Sequence, residues 1–140
     1  MRQFGQEPDG PIIERDGAYG VIVDSDWRIA VVEVPKGVYL PGGGIEAGET
    51  AEEALRREVL EETGMEIEIV STMGTVRQYA FWRGDWYNKI GHYFLCRPLS
   101  ADGTPLEEDH TLHWWKGSRA TKDLVHESQR FMVAQALKPC

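Results

Sequence analysis

Apolar and polar positions alternate and cluster in a way that divides the chain into strands first and helices later. Residues 18 to 24 (AYGVIVD) and 28 to 34 (RIAVVEV) are rich in β-branched side chains, and Asp24-Ser25-Asp26 between them has the polar chemistry of a tight turn. This pattern predicts an antiparallel hairpin opening the domain. Pro35, Pro41 and the glycines at 42, 43 and 44 then predict irregular chain as far as Gly48. From Glu49 to Thr63 strong helix formers run without a breaker, Thr50 and Glu53 have the spacing of a capping box, and Gly64 supplies a stop. Ile67 to Trp82 and Trp86 to Pro98 read as a second, longer hairpin turning at Arg83-Gly84-Asp85. Thr111 to Trp115 suits a short strand, and His126 to Leu137 carries Phe131, Met132, Val133, Ala136 and Leu137 at helical spacing. The expected class is α/β, with helices flanking a sheet.

The 140 residues suit one domain, and no repeat or low-complexity tract divides them; only residues 1–11 stand apart, as a polar N-terminal arm before a single domain over 12–140. With 41% hydrophobic and 27% charged residues the composition is that of a folded globular chain. A net charge of −8 offers no broad basic surface, which argues against duplex nucleic acid as a partner. It does not argue against a small phosphate substrate, because a carboxylate-held metal inverts the local charge that an anion meets. Cys96 and Cys140 have neither zinc nor disulfide-framework spacing, no stretch reaches the length of a membrane span, and the start lacks the apolar run of a signal peptide. These features predict a cytoplasmic protein. They leave its oligomeric state open, a homodimer included.

The helix carries the candidate chemistry. At about 100° per residue, with Glu58 set at zero, Glu61 falls near about −60° and Glu62 near about +40°. The carboxylates therefore share one face, which continues the stripe of Ala51, Ala54 and Leu55, while Glu52, Arg56 and Leu60 point elsewhere. Such a face is either solvated or a cation site: clustering like charges is costly unless a cation offsets the repulsion, and an all-oxygen donor set suits a hard ion such as magnesium or manganese. Arg57 has two compatible readings, an i,i+4 ion pair with Glu61 contributing about 0.3–0.5 kcal/mol if exposed, and a guanidinium that fixes a ligating carboxylate. The Gly-rich loop taken alone is equally well an ordinary turn, since it lacks the Lys-Ser or Lys-Thr ending of a P-loop.

Loop and helix together, however, resemble the Nudix box: Gly43, five residues, Glu49, seven residues, then Arg57-Glu58-Val59-Leu60-Glu61-Glu62-Thr63-Gly64-Met65, with every fixed position matched. The resemblance to Nudix hydrolases of the MutT-like kind implies an α/β/α sandwich around a mixed sheet, and hydrolysis of a phosphoanhydride bond in a nucleoside diphosphate linked to some group X. It implies Glu58, Glu61 and Glu62 as ligands of Mg2+ or Mn2+, the Gly43 carbonyl as a further ligand, and Glu49 and Arg57 as the residues that orient them. Glu61 is the nominal general base among the box residues. Glu107, in the acidic turn before Thr111, is a candidate extra carboxylate at the rim, against the plainer reading of a solvated loop.

Substrate identity rests on less. Tyr79 and Phe81, in the aromatic cluster with Trp82, Trp86 and Tyr87, are candidates for stacking on a base, although aromatic residues on strands commonly pack a core. The upstream signature associated with coenzyme A pyrophosphatases and the downstream proline associated with ADP-ribose pyrophosphatases are both missing. Nucleoside triphosphates therefore lead, with cleavage to monophosphate and pyrophosphate. Dinucleoside polyphosphates are the rival substrate, and a nucleotide-binding regulatory module of the same fold is the rival class.

Overall fold

The structure, a computed structural model, describes residues 1–99 and 109–138. In chain order the elements are β1 (Arg2–Phe4), β2 (Ile12–Ile22), β3 (Arg28–Val34), β4 (Gly37–Tyr39), β5 (Gly42–Gly44), α1 (Ala51–Thr63), β6 (Ile67–Trp82), β7 (Asp85–Pro98), β8 (Thr111–Lys116), α2 (Gly117–Asp123) and α3 (Glu127–Ala136). A five-stranded sheet runs β1-β6-β7-β2-β5 and a three-stranded sheet runs β4-β3-β8. The larger sheet is mixed: β1 lies parallel to β6 and β2 parallel to β7, while β6/β7 and β2/β5 are antiparallel.

Two cores sit on opposite sides of these strands. On one, Ala54, Leu55 and Val59 of α1 bury against Ala18, Ile22, Ala30, Phe94 and Cys96. On the other, Ala120 of α2, Leu124 just past its end, and Met132 and Val133 of α3 bury against Val21, Ile29, Val31, Val76 and Tyr93. Neighbours such as Val21 and Ile22 thus serve different cores, as alternation along a strand requires. Helices on both faces make the architecture an α/β/α sandwich.

Helix α1 begins as its sequence dictates. The Thr50 hydroxyl accepts from the Glu53 backbone N–H at 3.1 Å, and the Glu53 carboxylate accepts from the Thr50 N–H at 2.9 Å. Gly64 ends the helix in the left-handed region at φ 72°. Full burial of Leu55 contributes about 1.5–3 kcal/mol, more than any surface ion pair on the same helix, so it is apolar seating that aims the acidic stripe continuing along the same face.

Several expectations need correction. β2 and β3 do not form a hairpin sheet. The turn exists, with Asp24 Oδ1 accepting from the Asp26 and Arg28 N–H groups at 3.0 and 2.8 Å, but the strands touch only through the Val23–Ile29 bridge and then enter different sheets. The edges of β2 are taken by β7 and β5, which leaves β3 to pair with β4 and β8. The segment expected to be irregular up to Gly48 contains β4 and β5. Glycine weakens a strand entropically, yet here only glycine fits: a β-carbon on Gly42 would overlap the Ala18 carbonyl oxygen, and φ there is 144°. Within the N-terminal arm, Arg2–Phe4 adds an edge strand to the larger sheet and Phe4 is buried. Helix α2 was not anticipated. The long hairpin forms as expected, with register shifts between Ile69 and Ser71 and between Thr72 and Gly74.

Residues at the start of α3 seat it on the larger sheet. The Ser128 N–H donates to Gln78 Oε1 at 3.0 Å, the Leu40 N–H donates to Gln129 Oε1 at 2.8 Å, and His126 Nε2 lies 3.3 Å from Lys89 Nζ. Burial, and then the charges of Lys89, Lys36 and Arg130, hold His126 down to about 3. Above the ordinary value of 6.5 it is neutral in both folded and unfolded chains; below it the unfolded chain takes up a proton that the folded one refuses. Stability is therefore lost as pH falls from 6.5 toward 3. Between pH ~7.5 and ~5 this residue should cost about 2 kcal/mol. Denaturant unfolding at both pH values should show a smaller loss for His126→Gln than for the wild type; parallel losses would remove His126 as the cause.

Candidate active site

The chemistry gathers where β5 passes between β2 and α1. Gly42, Gly43 and Gly44 pair with Tyr19, Ala18 and Gly17, and the bare backbone of Gly43 lies against the Glu58 carboxylate. A β-carbon on Gly43 would stand 2.6 Å from the Glu58 carboxyl carbon and 2.7 Å from Oε2. One residue earlier, the Gly42 N–H donates to Glu62 Oε1 at 2.8 Å. The loop thus meets two box glutamates through its backbone, and at Gly43 a side chain would block the contact.

Arg57 organises the others. Its Nε and Nη2 donate to the two oxygens of Glu49 at 2.7 and 2.9 Å, a fork that holds the carboxylate in plane. Its Nη1 reaches Glu58 Oε1 at 2.9 Å and Glu61 Oε2 at 3.4 Å, and Nη2 also donates to the Gly44 carbonyl at 3.0 Å. Glu49 Oε1 accepts from the Glu46 N–H at 2.8 Å as well. The Arg57 hydrogen bonds, and then that backbone donor, hold the Glu49 carboxyl down to about 2, and the same pair raises Arg57. Of the two readings of Arg57, the geometry favours orientation: one guanidinium ties loop to helix and touches three box carboxylates, far more than an isolated surface pair.

Two residues that sequence reasoning missed complete the surroundings. His110 Nε2 lies 3.6 Å from Glu62 Oε2, and its Nδ1 is 2.9 Å from Asp109 Oδ1. Tyr19, half-buried on β2, has its hydroxyl pKa raised by burial, then by Tyr93, Glu62 and Glu58. Neither could be found from spacing, since each meets α1 only through strand pairing and loop return. Glu107 lies outside the described residues. Tyr79 and Phe81 point to the face of the sheet away from α3: Tyr79 is buried with its hydroxyl donating to Glu7 Oε1 at 3.0 Å, and Phe81 is 59% exposed against Trp86. On the α3 face, Tyr19, Val76, Gln78, Lys89, Gly91, Tyr93, His126, Ser128 and Gln129 line a recess instead.

Among the described residues, no group of three or more His, Cys, Asp or Glu side chains converges closely enough to hold an ion as it stands. The carboxylates instead converge on the Arg57 guanidinium and the Gly42 N–H, which offset their mutual repulsion. The donors are all oxygens, and the Gly43 contact brings loop backbone to Glu58; both suit a hard divalent ion.

A family model described as the NUDIX domain matches residues 14–134. The chain belongs to the Nudix family. It is similar to a nucleoside triphosphatase NudI of Enterobacter sp. (strain 638), 33% identical over 138 residues, covering 89% of this chain and 92% of that one. A nucleoside triphosphatase NudI of Escherichia coli O139:H28 is 46% identical over 135 residues, covering 91% of each. The crystal structure of a MutT Nudix hydrolase from Burkholderia pseudomallei superposes with a TM-score of 0.72 at 25% identity, over 87% of this chain and 97% of that one. The protein is a Nudix hydrolase of the MutT-like kind, and hydrolases of this family generally use divalent metal ions. No helix among the described residues is long and apolar enough to cross a membrane.

The Gly43 contact is testable separately from the fold. Because φ at Gly43 is not positive and the obstructing atoms are the mobile end of Glu58, Gly43→Ala should keep the melting temperature within a few degrees. Turnover should fall on the order of 10²-fold as Glu58 is displaced. Circular dichroism melts beside steady-state rates decide it, and undiminished turnover would mean that Glu58 need not stand there.

Proposed function

We propose that this Nudix hydrolase cuts a phosphoanhydride bond of a nucleoside triphosphate, releasing nucleoside monophosphate and pyrophosphate. The observation that carries the reading is the convergence of Glu58, Glu61 and Glu49 on one Arg57 guanidinium beside the bare backbone of Gly43, with Glu62 held from the same loop. The similarity to proteins named nucleoside triphosphatase supports the substrate class.

Glu58, Glu61 and Glu62, with the Gly43 carbonyl, would hold Mg2+ or Mn2+, which when bound neutralises phosphate oxygens and acidifies an attacking water. The chain's own contribution is orientation. Arg57 keeps Glu58 and Glu61 turned to one side, Glu49 keeps Arg57 flat, and the Gly42 N–H fixes one oxygen of Glu62. Glu61 is the proposed proton acceptor for the water. It is the more exposed of the glutamates that Arg57 touches on this helix, its side chain 36% accessible against 17% for Glu58, and its 3.4 Å contact with Arg57 is the longer one. His110, with Asp109 at its Nδ1, approaches Glu62; Glu107 lies outside the described residues and is proposed as a further carboxylate. The substrate is a small nucleotide; dinucleoside polyphosphates, and binding without turnover, are the alternatives to be tested against it.

Glu58→Gln, Glu61→Gln and Glu62→Gln should each lower turnover on the order of 10²-fold or more with melting temperatures nearly unchanged, and chelation should abolish wild-type activity until magnesium or manganese is restored. Hydrolysis of a triphosphate panel in oxygen-labelled water should put the label on monophosphate or pyrophosphate. Exclusive release of diphosphate and orthophosphate, or binding with no products at all, would reject the reading.

A further inference from the structure

The turn between β2 and β3 presents a tryptophan that the hydrolytic site does not use. Trp27 is 70% exposed, more than any other large apolar side chain among the described residues, and its φ of 63° lies in the left-handed region that bulky side chains avoid. A glycine would sit there at neither cost. The turn that carries it is nonetheless well tied. Asp24 Oδ1 accepts from the Asp26 and Arg28 N–H groups, Asp24 Oδ2 from Arg28 Nε at 3.0 Å, and the Asp24 carbonyl from the Trp27 N–H at 3.1 Å, while the Asp24 N–H donates to the Arg28 carbonyl at 3.0 Å. A large aromatic side chain carried outward on an ordered turn has the form of a binding anchor, because the backbone has little freedom left to lose when the ring is buried.

A receptor of matching size lies on the same small sheet. Glu33 of β3, Val38 of β4, His113 and Trp115 of β8 and Arg119 of α2 line an open groove of about 190 Å³. An apolar cavity of about 150 Å³ already holds a benzene ring, so an indole has room here. The walls suit it chemically. The Arg119 guanidinium lies 4.1 Å from the Trp115 ring centroid, and its side chain is 59% exposed, which leaves its outer face to stack on a second ring. The Glu33 carboxylate meets His113 Nε2 through Oε1 at 2.8 Å and offers Oε2 to an indole N–H. Charge is complementary too, since Trp27 follows the acidic Asp24-Ser25-Asp26 and the groove presents Arg119.

We propose that this face binds a second copy of the chain, Trp27 of each copy seating in the Trp115–Arg119 groove of the other. Within one chain the anchor and the groove stand apart on the same sheet: Trp27 immediately precedes β3, Glu33 lies near the far end of that strand, and Trp115 pairs with Ile29 between them. Two copies related by a two-fold axis therefore exchange anchor and groove in both directions, and the assembly closes at a dimer. In each seat Arg119 would lie between Trp115 and the incoming indole, with the Asp26 carboxylate beside it. An interface centred on two indoles that bury about 150–250 Å² each is held by few residues, which places the dimer among weak, concentration-dependent associations.

Sedimentation velocity over a micromolar-to-submillimolar dilution series tests this without reference to turnover. The wild type should pass from monomer to dimer and no further. Trp27→Gly suits the positive φ and should keep the melting temperature, yet it should weaken the dimer about 30-fold or more. Arg119→Glu, on the exposed wall of the groove, should weaken it by a similar factor. An equimolar mixture of the two variants is the decisive case: one chain keeps its groove and the other its tryptophan, so one of the two seats is rebuilt and the mixture should dimerise more tightly than either variant alone. A wild type that stays monomeric throughout, a dimer that survives Trp27→Gly, growth past the dimer, or a mixture no tighter than its components would each overturn the proposal.

Discussion

The passage of a bare backbone between a strand and a helix is the constraint on which the site depends. β5 has to lie close enough to β2 to pair with it, and close enough to α1 for backbone and carboxylate to touch. At Gly42 a side chain would strike Ala18 and Tyr19; at Gly43 it would strike Glu58. Gly44 has open space around it, so the requirement is specific to the first two glycines of the run. This separates them from glycines that merely turn the chain, and it explains why a weak strand former occupies the paired edge strand that lies against α1.

An acidic face on a helix is stable only if something stands in for the missing counter-charge, and here Arg57 does so from within. Coulomb repulsion among Glu58, Glu61 and Glu62 would splay the side chains in an isolated helix. The fork to Glu49 locks the guanidinium in a plane, and from that plane its remaining donors reach Glu58 and Glu61. Lysine could supply the charge but not the plane, since its ammonium has no fixed fork geometry. The cluster is thus ordered by the chain's own donors, with the guanidinium plane setting where the carboxylates stand.

What the sequence made legible was whatever a contiguous stretch decides. The capping box, Gly64, the buried stripe of Ala54 and Leu55 and the facing carboxylates all follow from helical periodicity within α1, and they appear where periodicity puts them. The long β6–β7 hairpin is equally local. The separation of β2 from β3 was not legible, because it depends on which distant strands claim each edge of β2. Nor was the placement of His110, Tyr19 and Lys89, whose partners lie dozens of residues away. Strand alternation sorts the aromatic cluster: Tyr79 and Phe81 lie on one face of β6, while Gln78 on the same strand lines the recess on the other.

That alternation also divides the labour of the fold. Residues of β2 and β7 that point toward α1 bury the apolar side of the acidic helix, and their immediate neighbours point toward α3 and form the recess. The acidic cluster and the recess are therefore built on the two faces of the same strands, with Tyr19 stacked on Tyr93 in the recess. Lys89, Gln78 and His126 sit on the α3 face, where a substitution touches no residue of α1. That the two faces can be built independently follows from the two-residue period of a strand, which sends each neighbour to a different core.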